Sequence, residues 1–229
     1  MIAATMKRVP EAEIMNGAEQ VAAYARADFA APNRAFLDRF RETFPGFGGK
    51  GVVFDLGCGP ADITAAFARS YPACRLVGID ASPKMIAWGR RRVREEGLEK
   101  RVKLRTARVP GALPPTGGCA AVISNSLLHH LPDPDALWRE VRACCRPGGA
   151  VLVVDLARPV SRARARELVE TYSGAEPEIL KHDFFNSLLA GFTPEEVRHQ
   201  LIRTGLERLT VEMISDRHLG VWGRLPSPS

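Results

Sequence analysis

From Gly51 onward, short β-rich runs alternate with stretches of helical periodicity. That pattern confines the chain to successive βαβ units and a mostly parallel sheet. The candidate strands are Gly51–Leu56, Arg75–Asp80, Val102–Ala107, Ala120–Asn125 and Ala150–Leu156, with gaps long enough for crossover helices. Two more runs, Leu209–Ile214 and His218–Trp222, are separated only by Ser215, Asp216 and Arg217. So short a gap joins antiparallel neighbours and holds no crossover helix. The spacing therefore predicts an α/β, doubly wound, seven-stranded sheet, mostly parallel with a C-terminal antiparallel hairpin and helices on both faces.

Helix signals fall between the strands. Ser82 followed by Pro83 is an N-cap with proline at the first helical position, and Ile86, Gly89 and Val93 supply an inward stripe. Asp133 and Pro134 repeat that start ahead of Leu137 and Val141, with Pro147-Gly148-Gly149 as the expected stop. Thr193-Pro194-Glu195-Glu196 is a capping box whose helix ends at Gly205. A chain of 229 residues suits one α/β domain. Its expected parts are an N-terminal helical cap over 1–50, a ligand-binding core over 51–156, a lid-like insert over 157–191, and a C-terminal helix and hairpin over 192–229. Both additions adjoin carboxyl ends of strands, where open α/β sheets bind ligands.

No apolar run approaches the roughly 20 residues of a membrane-spanning helix, and the first residues lack the apolar core of a signal peptide. A cytoplasmic location is the expectation. The five cysteines (Cys58, Cys74, Cys119, Cys144, Cys145) are odd in number and form no CxxC pair, which argues against a disulfide framework and against a zinc site. A net charge of +6 permits an acidic partner. Yet no aromatic residues interleave the clusters at Arg90–Arg94 and Arg162–Arg166 as a single-strand-binding platform requires, so nucleic acid is not the expected partner.

The chemistry concentrates in Val52–Asp62, where an apolar strand runs into a glycine-bearing turn and then a helix with Ile63 and Phe67. Such a turn lets a ligand approach bare backbone. The glycines read Gly57-x-Gly59-x-x-Asp62, whereas a dinucleotide fingerprint has a third glycine where Asp62 stands. An aspartate there opposes phosphates, and Asp55 and Asp62 together favour a cationic ligand. Asp80 ends the second strand, close to the interval of about 20 residues at which an acidic side chain receives a ribose diol in such folds. A ligand with a ribose and a cationic centre but no diphosphate meets these terms, and S-adenosylmethionine is one.

Four segments, VVFDLGCGPAD (52–62), GIDASPKMI (78–86), SNSLLHHLPDP (124–134) and RPGGAVLVVDL (146–156), resemble in order the signature segments of class I S-adenosylmethionine-dependent methyltransferases. The resemblance is strongest to the small-molecule group similar to the ubiquinone and menaquinone biosynthesis enzymes, and it implies their Rossmann-like fold. It also implies that Asp55, Gly57, Cys58 and Gly59 shape the pocket for the methionine part, that Asp80 holds the ribose with Ala81 and Met85 beside the adenine, and that Asn125 lies near the sulfonium. Where the family commonly presents an acidic residue to the adenine amino group, Thr106-Ala107-Arg108 stands, so a backbone carbonyl of this stretch or a water would make that contact.

A methyl group on a sulfonium is already activated, so alignment in a dry pocket can supply most of the catalysis, with a proton acceptor where one is needed. His129 and His130, just past the fourth strand, are the candidates for that acceptor, with His182 and Asp183 in the insert as alternatives. Tyr24, Phe29, Phe36, Tyr172, Phe184 and Phe185 offer apolar walls for a small acceptor. RNA methylation, favoured only by the basic charge, is the alternative function. A non-catalytic S-adenosylmethionine-binding protein is the third, because a fold alone proves no activity.

Overall fold

The computed structural model describes residues 6–11, 15, 17–111 and 118–225. Part of the expected N-terminal cap thus lies outside the described residues. The chain runs α1 (Ala18–Arg26), α2 (Ala30–Thr43), β1 (Gly51–Leu56), α3 (Asp62–Ser70), β2 (Cys74–Asp80), α4 (Pro83–Glu95), β3 (Val102–Thr106) and β4 (Cys119–Asn125). It continues through a short 3-10 turn (Leu128–His130), α5 (Asp135–Cys144), β5 (Cys145–Leu156), α6 (Arg162–Ser173), α7 (Glu178–Ala190), α8 (Pro194–Thr204), β6 (Thr210–Met213) and β7 (His218–Arg224).

The seven strands form one sheet in the order β3-β2-β1-β4-β5-β7-β6. Strands β1 to β5 are parallel, while β7 runs antiparallel to both β5 and β6. The strand order reverses between β1 and β4, and the crevice at their carboxyl ends is where such sheets take ligands.

Alternation along the strands divides the core between the two faces. Leu56, Val122, Val151 and Val153 face one apolar cluster with Leu137, Trp138 and Val141 of α5 and Val197 and Leu201 of α8. Val53, Ile123, Leu152 and Val154 face the other with Phe36 and Phe40 of α2, Phe67 of α3 and Ile86 of α4. Within that second cluster Phe40 is fully buried, with its ring centroid 4.9 Å from Phe67, 5.0 Å from Phe44 and 5.1 Å from Phe47. Helix α2 is thereby a wall of the core and not a cover of the crevice. Helix α1 instead lies toward the sheet's mouth, packing against α4 and α7. The 157–191 insert is a pair of helices, α6 and α7, joined by their own cluster of Ala165, Leu168, Val169, Leu188 and Leu189.

Local signals account for the helix starts. Ser82 Oγ accepts from Met85 N at 3.2 Å with proline at the first position, and Thr193 closes its reciprocal capping box with Glu196. The Asp133 start shifts by one residue: α5 begins at Asp135, whose N–H donates to Asp133 Oδ1 at 3.1 Å. The expected stop at Pro147–Gly149 is instead part of β5, which begins at Cys145 and pairs there with Cys119 across a register shift. No helix of the described residues is long and apolar enough to cross a membrane.

Candidate functional site

Asp55 sits at the end of β1 with 2% of its surface exposed, and its carboxylate accepts from the Thr64 hydroxyl on α3. Burial pushes its pKa up to about 7; the Thr64 hydrogen bond opposes that rise and the nearby Asp80 charge adds to it. A carboxyl raised above its ordinary value supports the fold while protonated, so its contribution is fully present below about pH 4 and is lost as pH rises through about 7. Stability of the free protein is therefore expected to fall over that window by at most about 1.4 kcal/mol per pH unit on account of Asp55, and Asp55→Asn should flatten the fall. Urea unfolding at pH 5, 6, 7 and 8 measures it; equal slopes for both proteins would refute a raised Asp55.

The turn after β1 is fixed by backbone. Gly57 and Cys58 both donate N–H to Ile79 O, at 2.8 and 2.9 Å. Gly57 takes φ +72°, and a Cβ on it would stand 2.8 Å from Leu127 Cβ, so the position requires glycine. At Gly59, φ +51°, the place of a Cβ has no described atom within 4 Å, so this backbone faces open space. Cys58 is buried with its thiol pKa driven well up by desolvation, which leaves it an inert packing group. Ala61 (φ +65°) and Ser126 (φ +57°), the non-glycine residues with positive φ among those described, lie at the two turns that flank the crevice. Each conformation costs roughly 1–2 kcal/mol, and such strain gathers where a binding surface is shaped.

Asp80 joins these turns. Its Oδ2 accepts from Gly59 N at 2.9 Å and its Oδ1 from Ser82 N at 2.8 Å, so one carboxylate positions the glycine turn and the start of α4 together. Burial raises its pKa, against the two N–H donors and the charge of His130. Ala81 is half-buried and Met85 is buried beyond it. Ala107 extends the β3 ladder by one hydrogen bond to Asp80 O, at 3.0 Å, while Arg108 is exposed. Asn125 ends β4 half-buried, with its amide on Ser126 Oγ. The predicted cofactor residues on β1, β2 and β4 thus meet at one crevice. Asp62, by contrast, is paired with Arg92 at 2.7 Å, so its charge is already answered.

The crevice is roofed by α1. Burial pushes the Tyr24 hydroxyl up to about 12, with the charges of Asp62 and Asp80 adding to the rise. Farther along the roof, Gln20 Nε2 donates to Asp183 Oδ2 on α7 at 2.9 Å.

The two neighbouring histidines have different surroundings. His129 is 2% exposed, its Nδ1 lies 2.6 Å from Asp155 Oδ1, and its buried Nε2 has no hydrogen-bond partner among the described residues. Burial lowers the His129 pKa, but Asp155 outweighs it and the net direction is up. Asp155 itself, at the end of β5, also accepts from Leu128 N at 2.7 Å and Leu156 N at 2.8 Å. His130 is half-buried and paired with Glu11, which in turn accepts from Ser187 Oγ on α7 at 2.6 Å. His182 is exposed on α7 and its ring nitrogens face Asn186. Asp155, Glu11 and Gln20 were not candidates in the sequence. Only Asp155 carried a signal, an acid closing an apolar strand.

Residues 53–149 match the family model described as a methyltransferase domain. The chain is 30% identical over 121 residues to the trans-aconitate 2-methyltransferase of Azoarcus sp. (strain BH72), covering 52% of this chain and 44% of that protein. It is 31% identical over 121 residues to a ubiquinone/menaquinone biosynthesis C-methyltransferase of Desulfotalea psychrophila, covering 53% and 48%. The matched stretch thus spans about half the length of these two relatives. The solved structure of a SAM-dependent methyltransferase from Aquifex aeolicus superposes with a TM-score of 0.63 at 16% identity, covering 89% of this chain and 96% of that one. The fold is common to both.

Proposed function

We infer that this class I S-adenosylmethionine-dependent methyltransferase transfers a methyl group to a small-molecule acceptor enclosed beneath α1 and α7. What carries the reading is the convergence on one crevice of Asp55, the open Gly59 backbone and the Asp80 carboxylate. These residues fit the cofactor: a buried carboxylate answers a cationic amino-acid part, a side-chain-free backbone admits close approach, and Asp80 keeps free lone pairs for a ribose diol. When bound, the cofactor supplies an activated methyl group. The chain's own residues orient it, exclude water, and hold the acceptor in line.

In our reading Asp55, Gly57, Cys58, Gly59 and Asn125 border the methionine part, Asp80 receives the ribose, and Ala81, Met85, Ala107 and Arg108 border the adenine. Glu11, His129 and His130 meet the polar end of the acceptor, and His182, exposed and turned to Asn186, is left out. Support for a small acceptor comes from the close roof of Tyr24, Gln20 and Asp183 and from relatives named for trans-aconitate and for quinone biosynthesis. A cytoplasmic location accords with five unpaired cysteines, all buried.

The test is release of S-adenosylhomocysteine against a panel of small organic acids, quinone precursors and bulk RNA. Turnover on a small acceptor that is insensitive to salt is expected. Turnover on RNA alone, falling steeply between roughly 50 and 200 mM salt, would overturn the assignment.

The roof makes its own prediction. A chain beginning at Asp28 keeps the Asp28 Oδ1 contact to Ala30 N and all of α2, but lacks Glu11, Gln20 and Tyr24. It should fold, by circular dichroism, and turn over at least about tenfold more slowly on the same acceptor, the loss expected when water-excluding cover is removed. Full activity would take α1 out of the site.

A further inference from the structure

Glu11, His129 and His130 each offer a ligand-type atom, and those atoms all lie within 4.8 Å of one another. We propose that these three side chains bind a divalent transition-metal ion, of the zinc or ferrous-iron class, at the acceptor end of the crevice.

Three observations carry this assignment. The first is the donor set, two imidazoles and one carboxylate, which suits zinc and non-haem iron and leaves coordination positions open. The second is His129 Nε2, an atom of a 98% buried side chain that has no hydrogen-bond partner among the described residues and belongs to a residue that offers a donor to the cluster. A buried imidazole nitrogen without a partner carries an unrecovered desolvation cost, a penalty that a bound ion removes. The third is the shell behind the donors. Asp155 Oδ1 holds His129 Nδ1 at 2.6 Å, and Ser187 Oγ donates to Glu11 Oε1 at 2.6 Å. A carboxylate behind a histidine fixes its tautomer so that Nε2 presents its lone pair, the usual support of a metal-bound imidazole.

Nearby positive charge does not fill the cluster. Arg8 donates to the carbonyls of His129, Leu131 and Ala190 and lies over the Phe192 ring, while Arg158 is bound to Gly191 O and Glu196. Metal bonds of about 2.0–2.2 Å place tetrahedral donors roughly 3.4 Å apart, so the three side chains must draw together and the His130–Glu11 pair must open to admit the ion. Three protein donors leave at least one position for water or for an acceptor oxygen, which gives acceptors with a carboxylate or paired hydroxyls an advantage. That last clause rests on the methyl-transfer reading; metal binding itself does not.

The experiment uses the full chain, stripped with chelator and dialysed against zinc without cofactor or acceptor. One equivalent of zinc per chain is expected. Glu11→Gln, His129→Asn and His130→Asn should each weaken it at least tenfold, and His199→Asn, on an exposed ring of α8, should not. Cobalt substitution should give a ligand-field spectrum without a thiolate charge-transfer band, since the donors are nitrogen and oxygen. Binding below a tenth of an equivalent, equal binding by all three variants, or a strong thiolate band from the cysteines would each overturn the site. Should His129→Asn fail to fold, Glu11→Gln decides, because Glu11 is only half-buried and lies outside the helices, the strands and the core clusters. S-adenosylhomocysteine titration of the same samples reports separately on the cofactor crevice.

Discussion

Replacing Asp80 by alanine is expected to weaken S-adenosylhomocysteine binding by roughly 100-fold, about 3 kcal/mol, with the fold retained. The magnitude exceeds that of a ribose contact alone because Asp80 has two tasks. Its oxygens already accept from Gly59 N and Ser82 N, so alanine frees the glycine turn and the α4 start while removing the acceptor for the diol. Hydrogen bonds to a charged group contribute roughly 1.5–3 kcal/mol each, and part of that sum is returned when water replaces the lost partner. Asp80→Asn keeps an acceptor for one of the two N–H groups and should fall between. Titration calorimetry on variants shown folded by circular dichroism reads the effect. An Asp80→Ala protein with unchanged affinity would leave Asp80 with the helix-opening role alone.

Phe40→Ala should lower global stability by about 3–5 kcal/mol, among the largest effects any single truncation in this chain can have. The ring is fully buried and touches Phe44, Phe47, Phe67 and Tyr71, so its removal leaves a cavity lined by aromatic edges that cannot collapse without shifting α2. For a chain of this length that corresponds to a melting temperature lower by roughly 10 °C. The urea midpoint should move with little change in slope, since the same surface is exposed on unfolding. A loss below about 1 kcal/mol would mean that α2 is only laid on the core and not part of it.

How far the sequence reaches is visible in these two residues. Asp80 was legible because its setting is local: a strand, its last residue, a serine and a proline fall within a few positions, and each carries a stereochemical preference that needs no partner from afar. The glycine turn after β1 was legible for the same reason. Phe40 lies in the expected 1–50 cap because an apolar helical stripe does not say which surface it meets, and here it packs against α3 on one face of the sheet. The histidines were found but not their partners. Asp155 lies 26 residues from His129, and Glu11 reaches His130 from the far end of the chain. The first pairing is set by the adjacency of β4 and β5 and the second by how the N-terminal segment docks, neither of which local residue patterns encode. The early start of β5 at Cys145 was hidden by Pro147-Gly148-Gly149, whose turn-forming character is absorbed in the register shift opposite Cys119.

The strand order bears on how the molecule behaves among copies of itself. An open sheet has two flanks whose unpaired amides can recruit a stranger, and here they are β3 and β6. Both are brief, Val102–Thr106 and Thr210–Met213, and both carry charge outward, Lys103 and Arg105 on one and Glu212 on the other, each exposed. The longest strand, Cys145–Leu156, is shielded between β4 and β7. Concentrated solutions of the folded protein should therefore resist fibrillar association, with the terminal hairpin acting as a selvage that keeps the apolar weave from unravelling into its neighbours.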